Sequence, residues 1–316
     1  MRVVVIGGTG HIGSYLTPRL VLAGADVVSL SRGVRTPYLA HEAWRQVEQI
    51  TADRTAEEQD GTFGARIRAL DADAIIDLTC YSLESATHLV ESLRGGPEHL
   101  LHCGTIWVHG PSAEVPTVES VRREPFGDYG IRKAAVESYL LRESHHNRLA
   151  ITVLHPGHLV GKGWNPINPQ GNFNPEAFSA LLHGRELDLP NLGMETLHHV
   201  HADDVARGFV CALQRRSAST GESFHIVSSK ALTLRGFAHG AATLLGSTAR
   251  LRFLPYTEWC KTVSEKDARI TWDHISHSPN CSIEKAQSLL GYAPRYSSLE
   301  AVEDALTAMR ANGTVA

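Results

Sequence analysis

The 316-residue sequence predicts an α/β protein, a doubly wound parallel sheet with a smaller C-terminal lobe. Three observations predict it. Short apolar, largely β-branched runs alternate with helical patterns through the first half of the chain. A glycine-rich turn at 7–13 stands between the first of these runs and the first helix. After Gly157 the alternation gives way to a stretch rich in Gly, Pro and Asn, and the later elements are more widely spaced.

Val3–Ile6 is wholly apolar and β-branched, as a strand buried on both faces should be. Ile12, Tyr15, Leu16, Leu20 and Leu22 follow with helical spacing, and Gly24 ends that helix. Val27–Leu30 is the second strand and Val47–Ile50 the third, diluted by Glu48 and Gln49. Residues 65–70 form a short helix. Ala74–Leu78 is the fourth strand, with its crossover helix at 84–93. His99–Cys103 is the fifth strand, Tyr129–Glu143 a long helix and Ile151–Leu154 the sixth strand. This order implies βαβ units in an open parallel sheet. Residues 161–175 lack periodicity and are expected to form a long functional loop. Asp203–Gln214 is a helix whose first turn carries Asp203 and Asp204, which suits the helix dipole. Phe224–Val227 is a strand, and 233–245 and 283–290 are helical.

Composition narrows the function classes. A net charge of −4 gives no global basic excess for nucleic acid. The apolar runs stop at four to six residues, far short of the roughly 20 that span a bilayer, so no membrane partner is expected. The glycines at 7, 8, 10 and 13 interrupt the N-terminus before a secretion signal can form. Five cysteines, well separated and without a C-x-x-C pair, suit a reducing compartment, and a cytoplasmic location is expected.

Gly7-Gly8-Thr9-Gly10-His11-Ile12-Gly13 follows the first strand and opens the first helix. Such a turn must be tight, let the backbone approach a pyrophosphate, and allow the helix to pack near the strand. The helix N-terminus then offers free N–H groups and partial positive charge. Gly7, Thr9, Gly10, His11, Ile12 and Gly13 are therefore expected to bind a dinucleotide in a Rossmann-type domain. The second strand ends in Ser31-Arg32-Gly33, with Arg35 close behind and no carboxylate to accept ribose hydroxyls. Ser31 and Arg32 point to a 2′-phosphate, hence NADP, with NAD as the alternative. Asp53 is expected near the adenine, and Leu78 and Thr79 beside the cofactor after the fourth strand. The domain is expected to comprise 1–160 with 198–228 returning to it. Residues 161–197 and 229–316 are expected to form the substrate-binding lobe.

Tyr129 and Lys133 are four residues apart and share a helical face. A nearby ammonium favours phenolate and would fit Tyr129 for general acid/base work. Thr105 lies upstream, after the fifth strand, with a hydroxyl that can hold a substrate oxygen. Tyr81, Trp107 and the loop residue Asn172 are the candidate contacts to a small-molecule substrate. His198, His199 and His201 do not make a metal motif, because in a strand His199 and His201 share one face while His198 takes the other, and no carboxylate–histidine helical motif accompanies them. No metal is expected.

With these residues in place the sequence resembles the extended short-chain dehydrogenase/reductases of the NAD-dependent epimerase/dehydratase type. The carriers are the turn at 7–13, Thr105 within 105–110, Tyr129-x-x-x-Lys133, His155-Pro156-Gly157-His158, the stretch His199–Ala206, and Gly291-Tyr292-Ala293-Pro294. The resemblance implies hydride transfer at a sugar-like or small hydroxy/keto substrate, in a reductase, epimerase or dehydratase. It implies Tyr129 as acid/base, Lys133 as its tuner and ribose contact, and Thr105 as orienter. It places Pro156 and Gly157 near the nicotinamide, with the neighbouring loop residue His158 a further candidate cofactor contact, and it implies a homodimer through helices 84–93 and 129–143. The sequence departs from the pattern in having Thr105 for the commoner Ser, no Arg in Thr196–His199, and Tyr81 where small residues are usual. A catalytically silent dinucleotide sensor of the same fold is the alternative, and a nucleic-acid-associated member is disfavoured by the charge.

Overall fold

The computed structural model describes residues 1–146 and 149–316. The chain begins with β1 (Arg2–Ile6), α1 (His11–Leu22), β2 (Asp26–Ser31) and β3 (Glu48–Thr51). There follow α2 (Arg54–Gln59), α3 (Phe63–Ala69), β4 (Ala74–Asp77), α4 (Leu83–Ser92) and β5 (His99–Cys103). Next are α5 (Gly127–His145), β6 (Ile151–Pro156) and β7 (His158–Val160). Then come α6 (Glu176–Leu182), β8 (Leu187–Pro190), β9 (Thr196–Leu197), β10 (His199–His201), α7 (Ala202–Gln214), α8 (Arg216–Ser219) and β11 (Ser223–Ile226). The chain closes with β12 (Leu232–Thr233), α9 (Leu234–Leu244), β13 (Leu251–Leu254), α10 (Tyr256–Trp259), α11 (Glu265–His277), α12 (Glu284–Leu290) and α13 (Ser298–Ala311).

Seven strands form one sheet in the order β11-β6-β5-β4-β1-β2-β3. Every pairing in it is parallel. Sequence order reverses between β1 and β4, so this doubly wound sheet has its ligand crevice at their carboxyl ends. The apolar runs explain the placing. Val3 and Val5 face a core with Leu16, Leu20, Val205 and Phe209 from α1 and α7. Val4 and Ile6 face the opposite core with Ile67, Leu89, Val136 and Leu140 from α3, α4 and α5. Alternate side chains of one strand thus fill two layers.

A third core lies beyond β6. Phe178, Leu181, Leu189, Phe237, Leu306 and Met309 gather there from α6, β8, α9 and α13. Two acidic residues at the start of α7 tie this half to the sheet. Asp203 takes a bidentate pair of bonds from Arg19 of α1, at 2.7 and 2.6 Å. Asp204 accepts the backbone N–H groups of Arg295 and Tyr296, at 2.8 and 3.0 Å. Both residues therefore do more than complement the dipole. Helices α6, α11 and α13 are not among the elements the sequence predicts. Among the described residues no helix is long and apolar enough to cross a membrane.

Candidate active site

The glycine turn is built as a cradle. Gly7 sits at φ +90°, and a Cβ there would lie 2.5 Å from Thr79 Cγ2. A Cβ on Gly13 would lie 2.3 Å from the Gly8 carbonyl oxygen, and one on Gly10 would lie 3.1 Å from that of Gly7. Gly10 caps α1 without a side-chain acceptor. The N–H groups of His11, Ile12 and Gly13 precede the first helical bond, from Ser14 N–H to the Gly10 carbonyl at 2.8 Å. An oxyanion-sized group fits that arrangement, so the residues present suit a dinucleotide pyrophosphate. The His11 ring stacks on Trp164 at 4.8 Å with Tyr38 edge-on at 5.4 Å. Burial pushes its imidazole down to about 3, so it is a neutral packing post that pins two loops over α1.

A cleft of about 300 Å³ opens at the ends of β2 and β3. Thr9, Ser31, Arg35, Thr36, Gln49 and Thr51 are among its lining residues, and none of the ten is acidic. Arg35 donates to the Tyr38 hydroxyl at 3.2 Å. The cation on the wall is Arg35; Arg32, expected in that role, is exposed and outside the lining. Loop geometry decides this, because Gly33 turns at φ +68° and swings the following residues over the cleft. Asp53, expected at the adenine, instead caps α2. Its Oδ1 accepts from the N–H groups of Thr55 and Ala56, at 3.0 and 3.2 Å.

A second cleft, about 120 Å³, lies at the ends of β4, β5 and β6. It brings together Ile12, Leu78, Tyr81, Thr105, Tyr129, Lys133, Pro156 and Gly157, eight of the residues singled out in the sequence. Thr105 starts a short 3-10 turn, accepting the Trp107 N–H at 3.3 Å. It shares the lining of this cleft with Tyr129, whose phenol its hydroxyl faces. Burial raises the Tyr129 phenol above its ordinary value, nearby Cys103 adds to this, and the Thr105 hydroxyl opposes it. The residue keeps 44% of its surface exposed, so water moderates the shift, but the phenol is protonated at neutral pH either way. Trp107 meets the Tyr129 ring edge-on at 5.9 Å and stacks on His277 at 4.0 Å, bordering the cleft without lining it.

Lys133 departs from expectation. It is 3% exposed, and its Nζ donates to the carbonyls of Cys103 at 2.6 Å and Cys80 at 2.9 Å. It also lies 3.3 Å from His102 Nε2. No hydrogen bond joins it to Tyr129, because a buried ammonium takes the acceptors that the loop after β4 and the end of β5 present. Burial lowers its pKa. Gly157 is forced by close approach, since a Cβ there would lie 2.3 Å from the His198 carbonyl.

Two expected contacts lie elsewhere. His158 is 8% exposed, accepts the His198 N–H at 3.2 Å through Nδ1, and packs on His199 and His274 behind the cleft. Asn172 is fully buried. It donates to Thr271 Oγ1 at 3.1 Å and accepts from Asn168 and from the Asn174 N–H, at 2.7 and 3.0 Å. An asparagine knot therefore holds loop 161–175 to α11, where a substrate wall is expected. The sequence does not single out Leu159, Cys103 and Gly104, which also line the cleft. Adjacency to Thr105 is the signal for the last two, and a Cβ on Gly104 would lie 2.6 Å from His155.

The NAD dependent epimerase/dehydratase family model matches residues 3–226. A 2′-dehydrokanamycin reductase from Streptomyces kanamyceticus is 31% identical over 137 residues, 43% of this chain and 37% of that protein. The chloroplast stem-loop binding protein of 41 kDa b from Arabidopsis thaliana is 25% identical over 99% of this chain and 80% of its own length. The solved structure of UDP-glucuronic acid 4-epimerase from Bacillus cereus, with UDP-glucuronic acid and NAD, superposes with a TM-score of 0.73 at 18% identity. That match covers 99% of this chain and 100% of the other, and the likeness is one of fold.

Proposed function

The chain belongs to the NAD dependent epimerase/dehydratase family, and from that premise we propose that it interconverts a carbonyl and a secondary hydroxyl on a sugar-like or small hydroxy/keto substrate. Tyr129 is the general acid/base and NADP(H) the preferred dinucleotide. The observation that carries the reading is the Thr105–Tyr129 pair at one cleft with Pro156 and Gly157. The relative named as a 2′-dehydrokanamycin reductase supports carbonyl chemistry.

Gly7, Gly10, Gly13 and the first-turn N–H groups of α1 would hold the pyrophosphate, and Ser31 and Arg35 the adenosine ribose. A cleft wall with one cation and no carboxylate favours a 2′-phosphate. When bound, the dinucleotide supplies or accepts the hydride. Tyr129, protonated at rest, donates to the substrate oxygen as alkoxide character develops there and takes the proton back in the oxidative direction. Thr105 hydrogen-bonds the same oxygen. Lys133 binds the Cys80 and Cys103 carbonyls and so fixes the cleft floor.

Tyr129→Phe tests this on the best substrate from a panel of keto- and hydroxy-sugars. Turnover should fall by about 10²–10⁴-fold, with NADP⁺ affinity by calorimetry unchanged. Retained turnover removes Tyr129 from the mechanism.

A further inference from the structure

Beneath the catalytic cleft lies a knot of histidines that the chemistry above does not use. His109 closes the 3-10 turn that Thr105 begins, His155 is the next-to-last residue of β6, and His225 lies in β11. They meet because β11 pairs with β6 in a register that sets His225 opposite His155, while the turn after β5 brings His109 onto both. One ring nitrogen of each lies within 4.8 Å of the others. His109 is 4% exposed, and His155 and His225 are 0%. Glu137 of α5, also 0% exposed, faces them with Oε2 at 2.9 Å from His155 Nε2.

A hydrogen-bonded network accounts for part of this arrangement. His109 Nε2 and His225 Nε2 are 2.7 Å apart. His225 Nδ1 is 3.0 Å from the Ser282 carbonyl, which can only accept, so Nδ1 carries the proton. The neutral ring then turns the Nε2 lone pair into the cluster. A network leaves much unsatisfied, however. Both ring nitrogens of His155 and Oε2 of Glu137 are buried without a hydrogen bond, the 2.9 Å contact between them being poorly aligned.

We propose that His109, His155 and His225 form a three-histidine site for a zinc-class divalent cation, with the Glu137 carboxylate beside His155 moving in as the fourth ligand. Three neutral imidazoles and a carboxylate are a tetrahedral N₃O set. Zn–N bonds of about 2.0–2.1 Å place ligand nitrogens about 3.4 Å apart, so the His109–His225 contact opens by less than about 1 Å. The surrounding bonds are those that orient metal ligands. The Ser282 carbonyl fixes the His225 tautomer, and Arg123 donates to Glu137 Oε1 at 2.7 Å. Glu119 lies 3.7 Å from His225 Nδ1 and adds negative charge. With no position left open the cation is structural. It ties β6, β11 and the turn after Thr105 to α5, the helix that carries Tyr129 and Lys133. The other cluster of this kind among the described residues, Asp77, Cys80 and His102, is already occupied by cations. Arg54 holds Asp77 at 2.8 Å, and Lys133 lies 3.3 Å from His102.

The test uses the full untagged chain, refolded in chelator-treated buffer with Zn²⁺ or Co²⁺ and dialysed exhaustively. The expected result is one metal per chain, the strong visible absorption of tetrahedral cobalt, and a melting temperature several degrees above that of the metal-free protein. His225→Asn should lose all three, and Cys80→Ser should keep them. If His225→Asn fails to fold, X-ray absorption on the wild-type zinc protein reads the ligands directly. A shell of nitrogen and oxygen with imidazole scattering supports the site, and sulfur in the shell overturns it. Folded wild-type protein that retains no metal, or folded His225→Asn that retains as much as wild type, also overturns it.

Discussion

At the ends of β2 and β3 the sheet edge opens to water, and the charged group on its wall, Arg35, is exposed. At the ends of β5 and β6 the edge closes over, and its charged group, Lys133, is 3% exposed with two carbonyls bonded to it. The first cleft suits selection of a ligand by charge, since a guanidinium with no carboxylate partner on that wall is free to take a phosphate in a charge-assisted hydrogen bond. The second suits proton transfer, since it sets the Tyr129 phenol, protonated at neutral pH, beside the Thr105 hydroxyl over a floor that buried Lys133 fixes. One strand edge thus divides binding from chemistry, and the glycine turn joins the halves.

Perturbing the join should have the largest effect. Gly13→Ala puts a Cβ 2.3 Å from the Gly8 carbonyl. Dinucleotide affinity should fall by about 100-fold, the equivalent of about 2.7 kcal/mol, when measured by calorimetry. Arg35→Ala acts on the open cleft alone. NADP⁺ affinity should drop about 10–100-fold, the worth of a charge-assisted contact, with NAD⁺ affinity nearly unmoved. Equal losses for both dinucleotides would take the 2′-phosphate away from Arg35.

Acid sharpens the contrast between exposed and buried groups. Burial pushes His11 and His199 down to about 3, and His99, His198 and His274 to about 4. Folded, these rings stay neutral where the unfolded chain, titrating near about 6.5, takes up protons. Stability is therefore retained above that value and lost as pH falls toward 3–4, at up to about 1.4 kcal/mol per histidine per pH unit. Thermal melts from pH 7 to 5 should show a steep fall, and a flat profile would contradict the burial of these rings. The smallest effect belongs to Asp53→Ala, which removes a helix cap worth about 1 kcal/mol. It should leave dinucleotide affinity unchanged.

The sheet was legible because its strands are short apolar runs, and even β3 reads through its Glu48 and Gln49. The lobe was less so. The face that α11 buries includes Thr271, His274 and His277, so its apolar periodicity is faint. Helix α13 carries a capping box of Ser297 and Glu300 and a stripe of Ala301, Val302, Ala305, Leu306 and Met309, which makes it the more readable of the two. In the sites, Thr105, Tyr129, Pro156 and Gly157 were readable because each sits at a strand end or helix start that the topology brings to one edge. Arg35 over Arg32 was not, because a loop turn chooses between them. Asn172 reads as a solvated loop amide until Asn168 and Thr271 are seen around it. Lys133 sits where its helical spacing puts it, but its hydrogen bonds depend on carbonyls far away in sequence. The buried histidines come from three remote elements, and no spacing links them.

The division between the two clefts is tested most directly by a double-variant cycle with Arg35→Ala and Tyr129→Phe. NADP⁺ affinity and single-turnover rate are measured for each variant and for the pair. The clefts share no lining residue, so the account predicts that Arg35→Ala lowers affinity alone. Tyr129→Phe then lowers the rate alone, and the pair shows both losses added within about 0.5 kcal/mol. A pair whose losses fall well short of that sum, or a Tyr129→Phe protein that turns over at the wild-type rate, would contradict it.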